Sequence, residues 1–145
     1  MSLRTMIDRL RRFCIAQDAS AAVEFALVGP IFATAVICLA DVANIVVGVG
    51  SMETGMRSAA QYAMNGGSDM TTARTQGLQA WYNRPAGSNI TAVKSCDCNG
   101  AAADCAVPCA NGNVPETYVT VTATATFTGN MISRNETLSE KVRQR

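Results

Sequence analysis

Four of the six cysteines crowd into one stretch, CDCNGAAADCAVPC, as Cys96, Cys98, Cys105 and Cys109. Four thiols this close could hold zinc, exchange disulfides or close two structural bridges. The CxC, then a six-residue gap, then CxxxC departs from the paired CxxC of structural zinc sites. It also lacks the CxxC at a helix start that redox catalysts use. Two structural disulfides are therefore expected, which places this stretch in an oxidising compartment. Joining Cys96 to Cys98 leaves too little slack. Cys96–Cys105 with Cys98–Cys109, or the nested pairing, both stay open. Each bridge would stabilise by roughly 2 to 3 kcal/mol through restriction of the unfolded chain. The chain has no histidine, which removes the commonest general base, the Ser/His and Cys/His nucleophiles, and every zinc site built on imidazole. No catalytic, cofactor or metal site is expected, and the protein reads as a non-enzyme.

Whatever positions the cysteine loop must first cross a membrane. The 145 residues are 48% hydrophobic, 16% charged and 6% aromatic, with a net charge of +1, fewer charges than a soluble domain usually carries. There is no basic field and too few aromatics for base stacking, so no nucleic-acid partner is expected. Residues 1–19 carry Arg4, Arg9, Arg11 and Arg12 against Asp8 and Asp18, a basic leader. From Phe25 to Ala40 no charge interrupts FALVGPIFATAVICLA, and apolar character resumes past Asp41 to Val49. About 20 helical residues cross a bilayer core, and arginines on the short side keep the N-terminus cytoplasmic. Gly29 and Pro30 should bend this helix without ending it. Asp41 reads as a solvated carboxylate at the outer interface. Glu24 differs, because it lies where the apolar run opens and needs a partner there. Ala22, Ala26, Gly29, Ala33, Ala40 and Asn44 share one face, along which a second helix could approach closely. Cys14 falls in the leader and Cys38 in the apolar run, where a thiol behaves as a small hydrophobe.

Beyond the bilayer the helix should continue. Met52, Met56, Ala59 and Ala63 form an apolar stripe, with Glu53, Arg57 and Gln61 on a polar one. Asn65, Gly66 and Gly67 should stop it. A second helix is expected from Thr71 to Tyr82, capped by Asp69 or Thr71, with Leu78 and Trp81 inward. Arg84 to Gly87 reads as a turn and NITAVKS as a modest strand. TYVTVTATATFT is a strong strand, alternating Val119, Val121, Ala123, Ala125 and Phe127 with threonines. The tail SRNETLSEKVRQR either adds a last strand through Leu138 and Val142 or frays.

The order of these parts resembles a known family. A short Arg-rich leader, then DASAAVEFALVGPIF, a membrane helix, its continuation SMETGMRSAAQYA, and a paired-cysteine loop before a Thr/Val strand look like the TadE-like minor pilins of the tight adherence (type IVb) pilus. AVEFALVGPIF is the most specific part, and the cysteine loop occurs in only some members. The resemblance implies cutting by a prepilin peptidase between Ala19 and Ser20, five residues before the Glu24–Phe25 pair. Family members usually carry Gly where this chain has Ala19. The resemblance further implies that the freed amine of Ser20 on a neighbouring subunit neutralises Glu24, with Ala22, Ala26, Gly29, Ala33 and Ala40 packing subunits together.

The expected organisation is therefore α+β and pilin-like: a leader over 1–19, a long transmembrane and extended helix over 20–65, and an exported domain over 66–145 with a second helix and a short antiparallel sheet. The implied partners are other pilins and the pilus assembly machinery, the prepilin peptidase and the lipid bilayer of the inner membrane, crossed once. No small-molecule substrate is expected. One alternative is a permanently anchored envelope protein whose disulfide-stabilised domain is a binding module. Another, a secretory signal over residues 1–40, fits Glu24 and Pro30 poorly.

Overall fold

A computed structural model describes residues 17–144, with side chains from residue 22 onward. The arginines of the leader and Cys14 lie outside the described residues. Helix α1 runs Gln17–Met64 and contains Pro30. It continues through that proline, as a helix with apolar surroundings can when other groups answer the freed carbonyls. The carbonyl that Pro30 frees is that of Ala26; one turn on, Thr34 Oγ1 donates to the Pro30 carbonyl at 3.1 Å and to that of Ile31 at 2.8 Å. The helix ends where Gly66 takes φ +87° and its N–H reaches the Ala63 carbonyl, a conformation glycine adopts without a Cβ penalty.

Helix α2 spans Met70–Ala80 behind an Asp69 N-cap. The Asp69 carboxylate accepts the backbone N–H groups of Thr71 at 2.9 Å and Thr72 at 3.2 Å, and the Thr72 hydroxyl at 2.5 Å. Of the two caps the sequence offered, the residue with the longer acceptor reach takes the role.

Strands β1 (Asn89–Cys98), β2 (Ala101–Ala103), β3 (Glu116–Thr128) and β4 (Ser133–Arg143) form one antiparallel sheet in the order β2-β1-β3-β4. Asn99 and Gly100, at φ 57° and 84°, turn β1 into β2, the positive pair that a two-residue hairpin requires. The tail forms β4 and does not fray, with Leu138 opposite Ala123 and Val142 opposite Val119. The architecture is α+β: a long apolar N-terminal helix, a second helix and a four-stranded antiparallel sheet.

The chain divides into two compact units at Ala40 and Asp41. Among the described residues the first unit is helix alone. In the second, Met52, Met56, Ala59, Ala60 and Ala63 of α1 bury against Val119, Val121, Ala123, Ala125 and Phe127 of β3, with Ile90, Trp81 and Val142 completing the core. The folded unit thus starts at Asp41 and takes in the distal part of α1, which supplies one wall of the core. Helices α1 and α2 touch through glycines: a Cβ on Gly55 would lie 2.7 Å from the Gly77 carbonyl oxygen, and one on Gly77 would lie 2.9 Å from that of Gly55. Only backbone without side chain fits there.

Candidate functional site

The residues singled out for processing and packing sit along the start of α1. Ala19 and Ser20 lie in its first turn. Ala22, Glu24, Phe25, Ala26, Ala33 and Ala40 are exposed and Gly29 is half-buried. The large apolar residues of this segment are exposed as well, from Val23 and Phe25 (78% exposed) through Leu27, Ile31 and Phe32 to Leu39. The stripe of small residues is therefore one face of a helix whose whole circumference is apolar, the pattern of a segment that lies in lipid or against other helices. By length and composition α1 is able to cross a membrane.

The cysteine loop is cross-linked as Cys96–Cys105 and Cys98–Cys109, with Cα separations of 5.2 and 5.7 Å. This is the interleaved member of the two pairings left open by the sequence. All four sulfurs are used, so none is available as a thiolate. Among the described residues no group of three His, Cys, Asp or Glu side chains is placed to hold a metal ion. The hairpin β1–β2 carries Cys96 and Cys98 on one strand and leads the loop back past both. Val107 and Val114 of that loop are exposed.

Asp41 is where sequence and structure part. In place of a solvated carboxylate, the structure has a side chain with no exposed surface. Its Oδ1 accepts the Asn130 backbone N–H at 2.9 Å and the Asn130 side-chain amide at 3.2 Å. Its Oδ2 accepts the N–H groups of Met131 at 2.7 Å and Ile132 at 3.2 Å. The remaining amide of the turn, that of Gly129, donates to the Ile132 carbonyl at 2.7 Å. One carboxylate thus ties the β3–β4 turn to α1 through charge-assisted bonds, the strong kind. A signal for it was present: Met52, Met56, Ala59 and Ala63 continue backward at helical steps through Gly48 and Ile45 to Asp41, so Asp41 occupies the sheet-facing seam. Gly48 belongs to the same seam, since a Cβ there would run into the Phe127 ring.

Two groups, Asp69 and Tyr118, shift their titration. The Thr72 hydroxyl, followed by the Thr71 amide, holds the Asp69 carboxyl below the usual carboxylate range. Tyr118 donates to Glu116 at 2.7 Å, and that bond pushes its phenol up. Both are structural contacts, a helix cap and a strand-end pair.

Comparison of the chain with protein-family models, with curated proteins and with solved structures gives no match.

Proposed function

We propose that this chain is a minor pilin or assembly component of a tight adherence, type IVb pilus, held in the inner membrane by α1 with its N-terminus cytoplasmic and the unit from Asp41 onward exported. The observation that carries the reading is α1 itself, a 48-residue helix that is apolar all round from Phe25 to Ala40 and then offers a seam of small residues to a sheet. A solvent-exposed helix of such composition would be an aggregation hazard. In a bilayer, and later in a bundle of like helices, the same surface is satisfied. The AVEFALVGPIF segment and the disulfide-pinned loop support the same conclusion, since the disulfides suit an oxidising space outside the cytoplasm.

In this reading a prepilin peptidase cuts between Ala19 and Ser20 and removes the basic leader. The ammonium freed on Ser20 of one subunit then neutralises Glu24 of the next, where an unpaired carboxylate in an apolar bundle would be costly. Ala22, Ala26, Gly29, Ala33 and Ala40 let the helices approach.

The intact mass of the protein extracted from membranes tests this directly. A chain beginning at Ser20, gaining about 4 Da on reduction as two disulfides take up two hydrogens each, is the expected result. A full-length chain would overturn processing and favour a permanently anchored envelope module.

A further inference from the structure

Negative charge in the unit from Asp41 onward is answered within the chain at every described position but one. Asp41, Asp69, Asp97 and Asp104 accept hydrogen bonds, and Glu53, Glu116 and Glu136 stand in ion pairs. Glu140 has neither among the described residues. It is half-buried and lies opposite Val121 in the β3–β4 register, so its side chain is on the helix-facing side of the edge strand. There it borders a groove of about 430 Å³ between α1 and β4, floored by Met56, Ala60 and Met64. Arg57 borders the same groove but is taken by Glu53. Inward charges on an edge strand deter strand addition, a task that Glu136 performs while paired with Arg134. Glu140 is left as a carboxylate over an apolar floor, and the cation that would stabilise it must come from outside the chain.

The opposite edge of the unit carries such a cation. Helix α2 packs over β1, which lies across β3 from β4. Its sequence, MTTARTQGLQA, holds Arg74 and no acid. Arg74 is exposed, and its Nε and Nη2 donate to Asn89 Oδ1 at 3.2 and 3.0 Å. That contact fixes the stem and leaves the Nη1 donors for a carboxylate. The heights also match. Helices α1 and α2 meet at Gly55 and Gly77, and a Cβ on Gly77 would lie 3.1 Å from that of Ala59. Arg74 is three residues from Gly77, about 4.5 Å along α2 at about 1.5 Å per residue. It therefore stands within a turn of the level of Gly55 and Ala59, and the groove borders α1 from Glu53 to Met64.

We infer that the folded units associate head to tail: α2 of one copy seats against the groove between α1 and β4 of a second copy, and Arg74 pairs with Glu140. The inference rests on the single-pass reading proposed above, under which copies that cross one bilayer in the same sense meet edge to edge without turning over. The apolar floor gives the contact attraction and the charge pair gives it register. Because the two patches differ, the contact repeats from copy to copy instead of closing as a two-fold pair.

The test is a photo-cross-link in the full chain, reconstituted in phosphatidylethanolamine–phosphatidylglycerol vesicles, with p-benzoylphenylalanine replacing the exposed groove residue Gln61. Irradiation is expected to give a covalent dimer in which residue 61 of one copy is joined to α2 of another. Arg74→Glu and Glu140→Gln should each lower the dimer yield roughly tenfold, and Arg74→Glu combined with Glu140→Arg should restore it. Emission of the buried Trp81 reports that each variant keeps its fold, and Glu140→Gln, close in shape to wild type, decides the matter where the swapped pair does not fold. A dimer joined groove to groove, a product joined only to lipid, or a dimer yield indifferent to both charges overturns the inference. Flotation of the same vesicles separates the two readings. A chain that floats without the α2 cross-link overturns the inference alone, whereas a chain that fails to float removes the single-pass reading and, with it, the shared direction that the contact requires.

Discussion

Ala22–Met64 passes as one candidate span by length and hydropathy, yet residues 22–40 and 41–64 are built for different neighbours. In the first part Phe25, Leu27, Ile31, Phe32 and Leu39 stand exposed around the helix. In the second, small or flexible residues (Gly48, Met52, Met56, Ala59, Ala63) recur every three or four positions on one face, and a sheet covers that face. The difference lies in side-chain size and periodicity as well as in apolar content, since residues 41–64 carry Asp41, Glu53 and Arg57 where residues 22–40 carry Glu24 alone. Bulky residues on all sides suit a solvent of lipid or a bundle of like helices. A narrow seam of small residues lets one flat partner come close.

The sharpest way to break this comparison is to truncate one apolar side chain in each part. Met52 is fully buried, so Met52→Ala should cost about 2 to 5 kcal/mol through lost transfer energy and a residual cavity. Phe32→Ala, on an exposed residue, should leave the stability of the exported unit within about 0.5 kcal/mol of wild type. Urea unfolding of the detergent-solubilised chain, followed by Trp81 fluorescence, reads both. Equal losses would mean that residues 22–40 also have a packing partner inside the chain. The next largest effect reverses the asymmetry. Phe32→Arg should cost about 2.5 to 3.5 kcal/mol of membrane insertion, as arginine does at a helix centre, whereas Gln61→Arg on the exposed polar face should not change insertion. Vesicle flotation of the two variants separates them.

Much of this was legible because periodicity survives in one dimension. The Val/Thr alternation of β3 announced an inward and an outward face, and both helix ends were marked, by Asp69 and by Asn65 to Gly67. The boundary between units was not legible in the same way. A cut at the glycines assigns the whole of α1 to the anchor, whereas the seam that roofs the sheet begins at Asp41. Asp41 itself was misread because its partners are backbone amides of Asn130, Met131 and Ile132. Amides exist at every position, so sequence cannot say which ones a carboxylate will find. The Asn99–Gly100 dipeptide carries the signature of a two-residue hairpin, although it lies inside the cysteine-rich stretch. The disulfide pairing could be narrowed by reach but not decided, since both open pairings satisfy it; hairpin geometry decides it.

A smaller effect sharpens the seam itself. Gly55 and Gly50 are both glycines inside α1, where alanine would ordinarily stabilise by about 0.8 to 1 kcal/mol. Nothing lies within 4 Å of a Cβ at Gly50, while one at Gly55 would meet the Gly77 carbonyl oxygen at 2.7 Å and Trp81 Cβ at 2.9 Å. Gly50→Ala should therefore raise the unfolding midpoint. Gly55→Ala should lower it, because overpacking of about 1 to 3 kcal/mol outweighs the helix gain. Two variants with the same sign would show that α1 and α2 do not close through this glycine pair.

The smallest effect asks whether α2 is held by the seam alone or also by its cap. Hydrogen bonds from Thr72 and Thr71 lower the folded-state pKa of Asp69. Its contribution to stability is therefore fully present above the unfolded carboxylate value of about 3.9, and is lost as pH falls through the lower folded value. Asn caps nearly as well as Asp and takes up no proton in this range. Between pH 4 and pH 2 the melting temperature of wild type should fall more than that of Asp69→Asn, by roughly 2 to 4 °C. Above pH 5 the offset between the two should stop changing with pH, because Asp69 is then fully ionised and Asn keeps its single acceptor oxygen throughout. Parallel acid curves for the two proteins would mean that the glycine contact and Trp81 hold α2 without help from its first turn. The exported unit would then depend on close approach to α1 for its second helix as well as for its sheet.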